Sequence, residues 1–215
     1  MDIDGLRLPD FIIGGAPRAA TTWLYELADR HPAICMAKPV KPEPKFFLID
    51  ELYARGLHHY AQTWFASLPA NSCLGEKSTN YLESPLAAAR IWDAIPDVKL
   101  IFLLRNPIDR AYSNYLWTRM NGLESEDFDR ALALEEQREA ALPEHLRYTR
   151  PYSYFSRGLY AQHLVRFFRL FPRQRIMIIR SEDIATRPRE VVVAFHEFLG
   201  VPPRPDDANM LGLVN

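Results

Sequence analysis

Three apolar runs of strand length recur along the chain, and this recurrence constrains the fold more than any other feature. They are Phe11-Ile12-Ile13-Gly14-Gly15, Val98-Lys99-Leu100-Ile101-Phe102-Leu103-Leu104 and Arg175-Ile176-Met177-Ile178-Ile179-Arg180. Each is too continuously apolar to show one face to water, so each reads as a buried strand. Leu74-Gly75-Glu76-Lys77-Ser78 and Ile34-Cys35-Met36 are candidates for a fourth and a fifth. Helical spacing intervenes: Trp23, Leu24, Leu27 and Ala28 share a face within Thr21–Arg30, Pro107 can open a helix through Tyr112, Tyr115 and Leu116, and Val191–Leu199 closes at Gly200. Strands alternating with helices predict an α/β fold, with a mostly parallel central sheet flanked by helices in three layers. Such sheets bind ligands at the carboxyl ends of their strands, so the residues just after each strand carry the functional information.

Composition narrows the class. The chain has 215 residues, 26 basic and 27 acidic side chains, and a net charge of −1. This length suits a single domain over 1–215, in which the charged stretch from Glu124 to Arg150 reads as a helical insertion or lid. Near-neutrality argues against a nucleic-acid binder, which carries a basic excess. Cys35 and Cys73 are too few for a disulfide framework or a four-thiolate zinc site, and the six histidines show no ligand spacing with them, so no metal is expected. No apolar run approaches the roughly 20 residues of a membrane span. The N-terminal Met-Asp-Ile-Asp-Gly lacks the form of a secretory signal, and a cytoplasmic location is therefore expected. Oligomeric state is open, a homodimer included.

The turn after the first strand is Gly14-Gly15-Ala16-Pro17-Arg18-Ala19-Ala20-Thr21-Thr22. On the nucleotide P-loop pattern G-x-x-x-x-G-K-[ST], Gly15 and Thr22 fit the ends, while Ala20 replaces the second glycine and Thr21 the lysine. Small residues leading into a helix N-terminus still form an anion cradle, because backbone N–H groups converge there and the helix dipole adds to them. The missing lysine argues against a kinase or NTPase that cleaves a γ-phosphate. Taken alone, the segment is equally a tight βα turn with a threonine N-cap. The turn after the central strand, Arg105-Asn106-Pro107-Ile108-Asp109-Arg110-Ala111-Tyr112-Ser113, aims an arginine at the same sheet edge. An arginine with a nearby hydroxyl suits a phosphate monoester, although a structural ion pair would use the same residues.

The two turns together resemble those of sulfotransferases that use 3′-phosphoadenosine-5′-phosphosulfate (PAPS). Pro17-Arg18-Ala19-Ala20-Thr21-Thr22 is similar to that family's Pro-Lys/Arg-x-Gly-Thr-Thr loop, and Arg105 to Ser113 to its Arg-[Asp/Asn]-Pro-x-x-Arg-x-x-Ser motif. The resemblance implies a P-loop-like fold. It implies that Arg18, Ala19, Ala20, Thr21, Thr22 and Trp23 bind the 5′-phosphosulfate, and Arg105 and Ser113 the 3′-phosphate, with Arg110 in support. A methyl at position 20 is compatible with the family's loop only if that residue has a negative φ and the sulfate does not press on its Cα. Lys41-Pro42-Glu43-Pro44-Lys45-Phe46-Phe47 resembles the Lys-Glu-x-x-Phe-Phe segment of the carbohydrate and bacterial branch, which implies that Glu43 is the general base. Gly75-Glu76-Lys77-Ser78-Thr79-Asn80-Tyr81 is similar to its Glu-Lys-Ser/Thr-Pro-x-Tyr strand end, which sets Lys77 near the transferring sulfonyl group. Glu43, Lys77 and Arg18 are thus the implied catalytic residues, with a small-molecule, carbohydrate or lipid-linked acceptor and no metal. A P-loop kinase or a non-catalytic relative is the alternative. Relatives continue past the Phe198-Leu199-Gly200 helix end into a nucleotide-clamping loop, which is expected to begin where this chain reaches Asn215.

Overall fold

A computed structural model of the chain describes residues 2–69 and 71–209. Asn215, and with it the start of the expected clamping loop, lies outside the described residues. A short antiparallel hairpin, β1 (Asp2–Ile3) and β2 (Leu6–Arg7), precedes β3 (Phe11–Gly15), α1 (Thr21–Arg30) and β4 (Ile34–Met36). Then come α2 (Asp50–Tyr53), α3 (Gly56–Trp64), β5 (Cys73–Lys77), α4 (Pro85–Ala94), β6 (Lys99–Leu104) and α5 (Pro107–Met120). After α5 the chain forms α6 (Phe128–Ala133), α7 (Glu135–Ala141) and two 3-10 turns, Glu144–Thr149 and Ser156–Gly158. It continues through α8 (Tyr160–Leu170), β7 (Ile176–Arg180), α9 (Ser181–Thr186) and α10 (Pro188–Leu199) to a 3-10 turn at Pro205–Asn209.

Five strands lie in the order β4-β5-β3-β6-β7, and every neighbouring pair is parallel. The central β3 is buried throughout, which is why its residues are all apolar or glycine. On one face Phe11 meets Phe195 of α10 edge-on, and α1 joins α10 where the His31 and His196 rings lie 4.6 Å apart. On the opposite face Phe102 packs on Phe167 of α8, and Trp92 of α4 on Phe171. Right-handed crossovers produce this division, since the chain leaves β3 toward β4 but crosses the other way from β5 to β6. The expected three-layer α/β fold is therefore present. The loop after β3 opens where the direction reverses, between the ends of β5 and β6, which is the ligand crevice of such sheets.

The segment after α5 is tied down by buried carboxylates rather than by a large apolar core. Glu124 accepts from Arg138 at 2.6 Å and from Tyr154 at 2.7 Å, and Glu135 accepts from the backbone N–H groups of Phe155 and Ser156. Arg157 bonds Asn114 of α5 and the Thr149 carbonyl, and its Nε lies 2.9 Å from Glu83. Arg110 is completely buried and donates to the Tyr154 carbonyl, and burial lowers its guanidinium pKa to about 10. Among the described residues no helix is long and apolar enough to cross a membrane.

Candidate active site

The loop after β3 begins at Gly15, whose φ is +142°. A Cβ there would sit 2.5 Å from the Thr79 carbonyl oxygen, so glycine is what allows the segment after β5 to press on the loop. Arg18 (φ 67°) and Ala20 (φ 66°) both take the left-handed conformation. The condition of a negative φ at Ala20 is thus not met: the loop keeps the backbone form that favours glycine, and the methyl is carried there at a cost of about 1–2 kcal/mol. Ala20 also occupies the N-cap of α1 without a side-chain cap, so the threonine-cap reading fails. Thr21 is buried in the first turn of α1 and Thr22 is exposed beside it. Ala19 and Trp23 turn their side chains into the core, which leaves only their backbone groups for a ligand. The first N–H groups of a helix have no intrahelical acceptor and carry the positive end of its dipole.

The turn after β6 meets this loop. Arg18 Nε donates to Ser113 Oγ at 3.1 Å, across 95 residues of sequence. Asn106 caps α5 through the Ile108 N–H, and its own N–H donates to Glu182 at the start of α9. Tyr160 donates to the Arg105 carbonyl at 2.9 Å. Together these contacts shape a cleft of about 340 Å³ lined by Arg18, Thr21, Thr22 and Arg105, with Ser181 and Glu182 on its far wall. Burial, and then the neighbouring Arg105 charge, lower the Arg18 pKa from its usual value. Two guanidiniums, the Thr21 and Thr22 hydroxyls and a helix N-terminus border this cleft together with the Asp109 and Glu182 carboxylates, and the first three are groups able to bind an oxyanion. Ser181 and Glu182 were missed from the sequence, although they follow a strand as the other site residues do. Arg110 lies in the core rather than in this cleft.

Glu43 and Lys77 come together beside the loop. Lys77 Nζ lies 2.5 Å from Glu43 Oε1, with the two side chains 2% and 11% exposed. Thr79 donates its N–H and hydroxyl to Glu43 Oε2, each at 3.1 Å. The prolyl segment is pinned further along: the Lys45 N–H donates to Ser78 Oγ, the Phe47 N–H to the Tyr81 hydroxyl, and Phe46 stacks on Tyr60 with centroids 4.4 Å apart. Behind the pair, Glu76 is fully buried and accepts from the Tyr60 hydroxyl at 2.6 Å. Burial pushes its carboxyl up to about 7, against the opposing pull of the tyrosines and with the Glu43 charge adding to it. Lys45 was also not singled out from the sequence. Its ammonium lies 5.4 Å from the Tyr148 ring centre, and burial lowers its pKa. Among the described residues no group of three His, Cys, Asp or Glu is placed to hold a metal ion.

A βα loop at the reversal point of a parallel sheet, with a carboxylate–lysine pair beside it, defines a P-loop-like α/β protein. Residues 8–211 match the family model described as "Sulfotransferase domain", and the chain belongs to that family. It is 33% identical to human heparan sulfate glucosamine 3-O-sulfotransferase 6 over 201 residues, which are 91% of this chain and 53% of that protein. It is 32% identical to human bifunctional heparan sulfate N-deacetylase/N-sulfotransferase 3 over 207 residues, 92% of this chain and 23% of that protein. The chain therefore spans between about a quarter and about half the length of these two relatives. Among solved structures, a sulfotransferase from Alicyclobacillus acidocaldarius is 32% identical with a TM-score of 0.80, over 93% of this chain and 85% of that one. Mouse sulfotransferase SULT7A1 complexed with PAP, at 17% identity and TM-score 0.61 over 95% of this chain and 62% of that one, shares the fold.

Proposed function

We propose that the chain transfers the sulfuryl group of PAPS to an acceptor hydroxyl or amine, leaving 3′-phosphoadenosine-5′-phosphate (PAP). The observation that carries this reading is that Arg18 and Arg105 line one cleft, with Ser113 hydrogen-bonded to Arg18, beside a Glu43–Lys77 pair. Arg105 and Ser113 take the 3′-phosphate; Arg18, Thr21, Thr22 and the backbone from Ala19 to Trp23 take the 5′-phosphosulfate. The acceptor oxygen or nitrogen attacks sulfur as the sulfur–oxygen bond to the 5′-phosphate breaks, and the acceptor proton passes to Glu43. Lys77 and Arg18 offset charge on the sulfonyl and bridging oxygens, the kind of positioned electrostatic stabilisation that dominates such transfers. Thr79 and Lys77 fix the Glu43 carboxylate from two sides, so its orientation is set before the acceptor arrives.

Calorimetric titration tests the nucleotide assignment without a known acceptor. The wild type should bind PAP. Arg105→Ala should bind it about tenfold to a hundredfold more weakly, the scale of a lost charge-assisted contact, while adenosine 5′-phosphosulfate is little affected. Equal losses for both ligands contradict the 3′-phosphate assignment. Glu43→Gln should keep PAP affinity and lose ~10²-fold or more in turnover, as for a removed general base; unchanged turnover removes Glu43 from the mechanism.

A further inference from the structure

Helix α5 carries an apolar surface that the rest of the described chain leaves uncovered. Of the eleven large apolar side chains that stand exposed among the described residues, six lie between 108 and 123. Ile108, Tyr112, Leu116 and Met120 recur every four residues and form one ridge, exposed by 73%, 48%, 42% and 86%. Trp117 stands exposed on the same helix, and Leu123 just past its end. The other side of α5, with Ala111, Asn114, Tyr115 and Thr118, is buried, so the helix has its core contact without the ridge. Scattered exposed apolar residues need no explanation, whereas a contiguous patch marks an association surface. With about 200 Å² for a large side chain, the six show roughly 700 Å² at their exposed fractions, close to the about 800 Å² that each partner gives to a specific interface.

The ridge is its own complement. Its four members are spaced evenly about Asn114, and two exposed charges of opposite sign, Asp109 and Arg119, lie equally far from that midpoint. Among the described residues neither charge has an ion-pair partner, and Arg119 bonds only the Tyr115 hydroxyl beneath it. Turning a second copy end for end about Asn114 brings Ile108 to the level of the partner's Met120 and Tyr112 to that of the partner's Leu116. The same turn brings Asp109 to the level of the partner's Arg119. A parallel arrangement would instead set like charges at one level, which is unfavourable. We infer that the chain pairs through α5 with a second copy of itself, the two helices antiparallel about Asn114, in a twofold contact that buries the same patch on both copies. Because Asp109 also lines the cleft beside Arg18, this pairing sets the partner's Arg119 at the rim of that cleft.

Sedimentation velocity on the full chain, with circular dichroism to confirm that each variant is folded, tests the pairing. The wild type should run as a dimer, at twice the 24.9 kDa of one chain. Leu116→Glu/Met120→Glu, at two exposed ridge positions, should weaken the dimer at least about a hundredfold, because four carboxylates would then be desolvated at one interface. The same change at exposed apolar positions on α4 and α8, Leu86→Glu/Val165→Glu, should leave the dissociation constant within about threefold of the wild type, because charges far from the interface are screened. Arg119→Glu should weaken the dimer about tenfold or more, by setting like charges at one level, and Asp109→Arg/Arg119→Glu should return it to within about threefold of the wild type. A wild type that stays monomeric at every soluble concentration overturns the inference. So does a dimer untouched by the ridge variant, or one weakened equally by the control. A charge swap that fails to restore pairing overturns the antiparallel arrangement.

Discussion

At the scale of single residues, Ala20 is one position where the chain departs from the loop pattern it resembles. A methyl-bearing residue in the left-handed region brings Cβ too close to the following carbonyl, at a cost of about 1–2 kcal/mol. The neighbouring contacts nonetheless enforce that shape: Ala16 N–H bonds the Leu103 carbonyl before it, and Leu24 N–H bonds the Ala20 carbonyl after it. Ala20→Gly should therefore stabilise the protein by about 1 kcal/mol, less whatever the freer glycine loses on folding. A rise in the urea midpoint at constant slope checks this; a fall would mean that the methyl's packing outweighs the backbone strain.

At the scale of elements, the segment carrying α6 and α7 is stitched to α5 and to the turn after β5 by side chains that are ionic yet buried. Arg157 and Glu83 are 5% and 4% exposed at a separation of 2.9 Å, and Arg157 also bonds Asn114 and the Thr149 carbonyl. A buried pair adds little over a well-packed apolar one, but removing one partner strands the other charge. Arg157→Ala should cost about 3–5 kcal/mol in urea unfolding. Adding Glu83→Gln to it should recover part of that loss, by removing the stranded carboxylate. A loss below about 1 kcal/mol, the range of exposed pairs, would show that water reaches the pair.

For the whole molecule, two buried groups on opposite faces of the sheet set opposing pH dependences. Glu76 holds its proton up to about 7 in the fold, against an ordinary value of 4.5. As pH rises through that window the unfolded chain releases a proton that the folded chain keeps, so stability falls. His196 is lowered to about 4 from 6.5, by burial and then by the neighbouring His31. As pH falls through its window the unfolded chain takes up a proton that the folded chain refuses, so stability falls there too. Between about pH 4 and 7 the two slopes largely cancel, so urea midpoints should rise more steeply with pH in Glu76→Gln than in the wild type and fall more steeply with pH in His196→Asn. A slope left unchanged by either variant would assign that group's contribution elsewhere.

Much of this was legible in the sequence because it is local. A run such as Leu100 to Leu103 reads as a buried strand wherever it occurs, and Pro107 after it reads as a helix start. Arg18 and Arg105 were found because each directly follows such a strand, and parallel strands bring those positions to one edge. What the sequence by itself determined was the class of fold and the identity of the groups at that edge. The tertiary structure alone decided which of them meet. Lys77 and Thr79 reach Glu43 across 34 and 36 residues, and Arg18 reaches Ser113 across 95. Strand order sets those meetings, and it arises from crossovers and packing that no local pattern encodes. The φ of Ala20 belongs with them: propensity alone favours a negative value, and the contacts on either side of the loop impose the other.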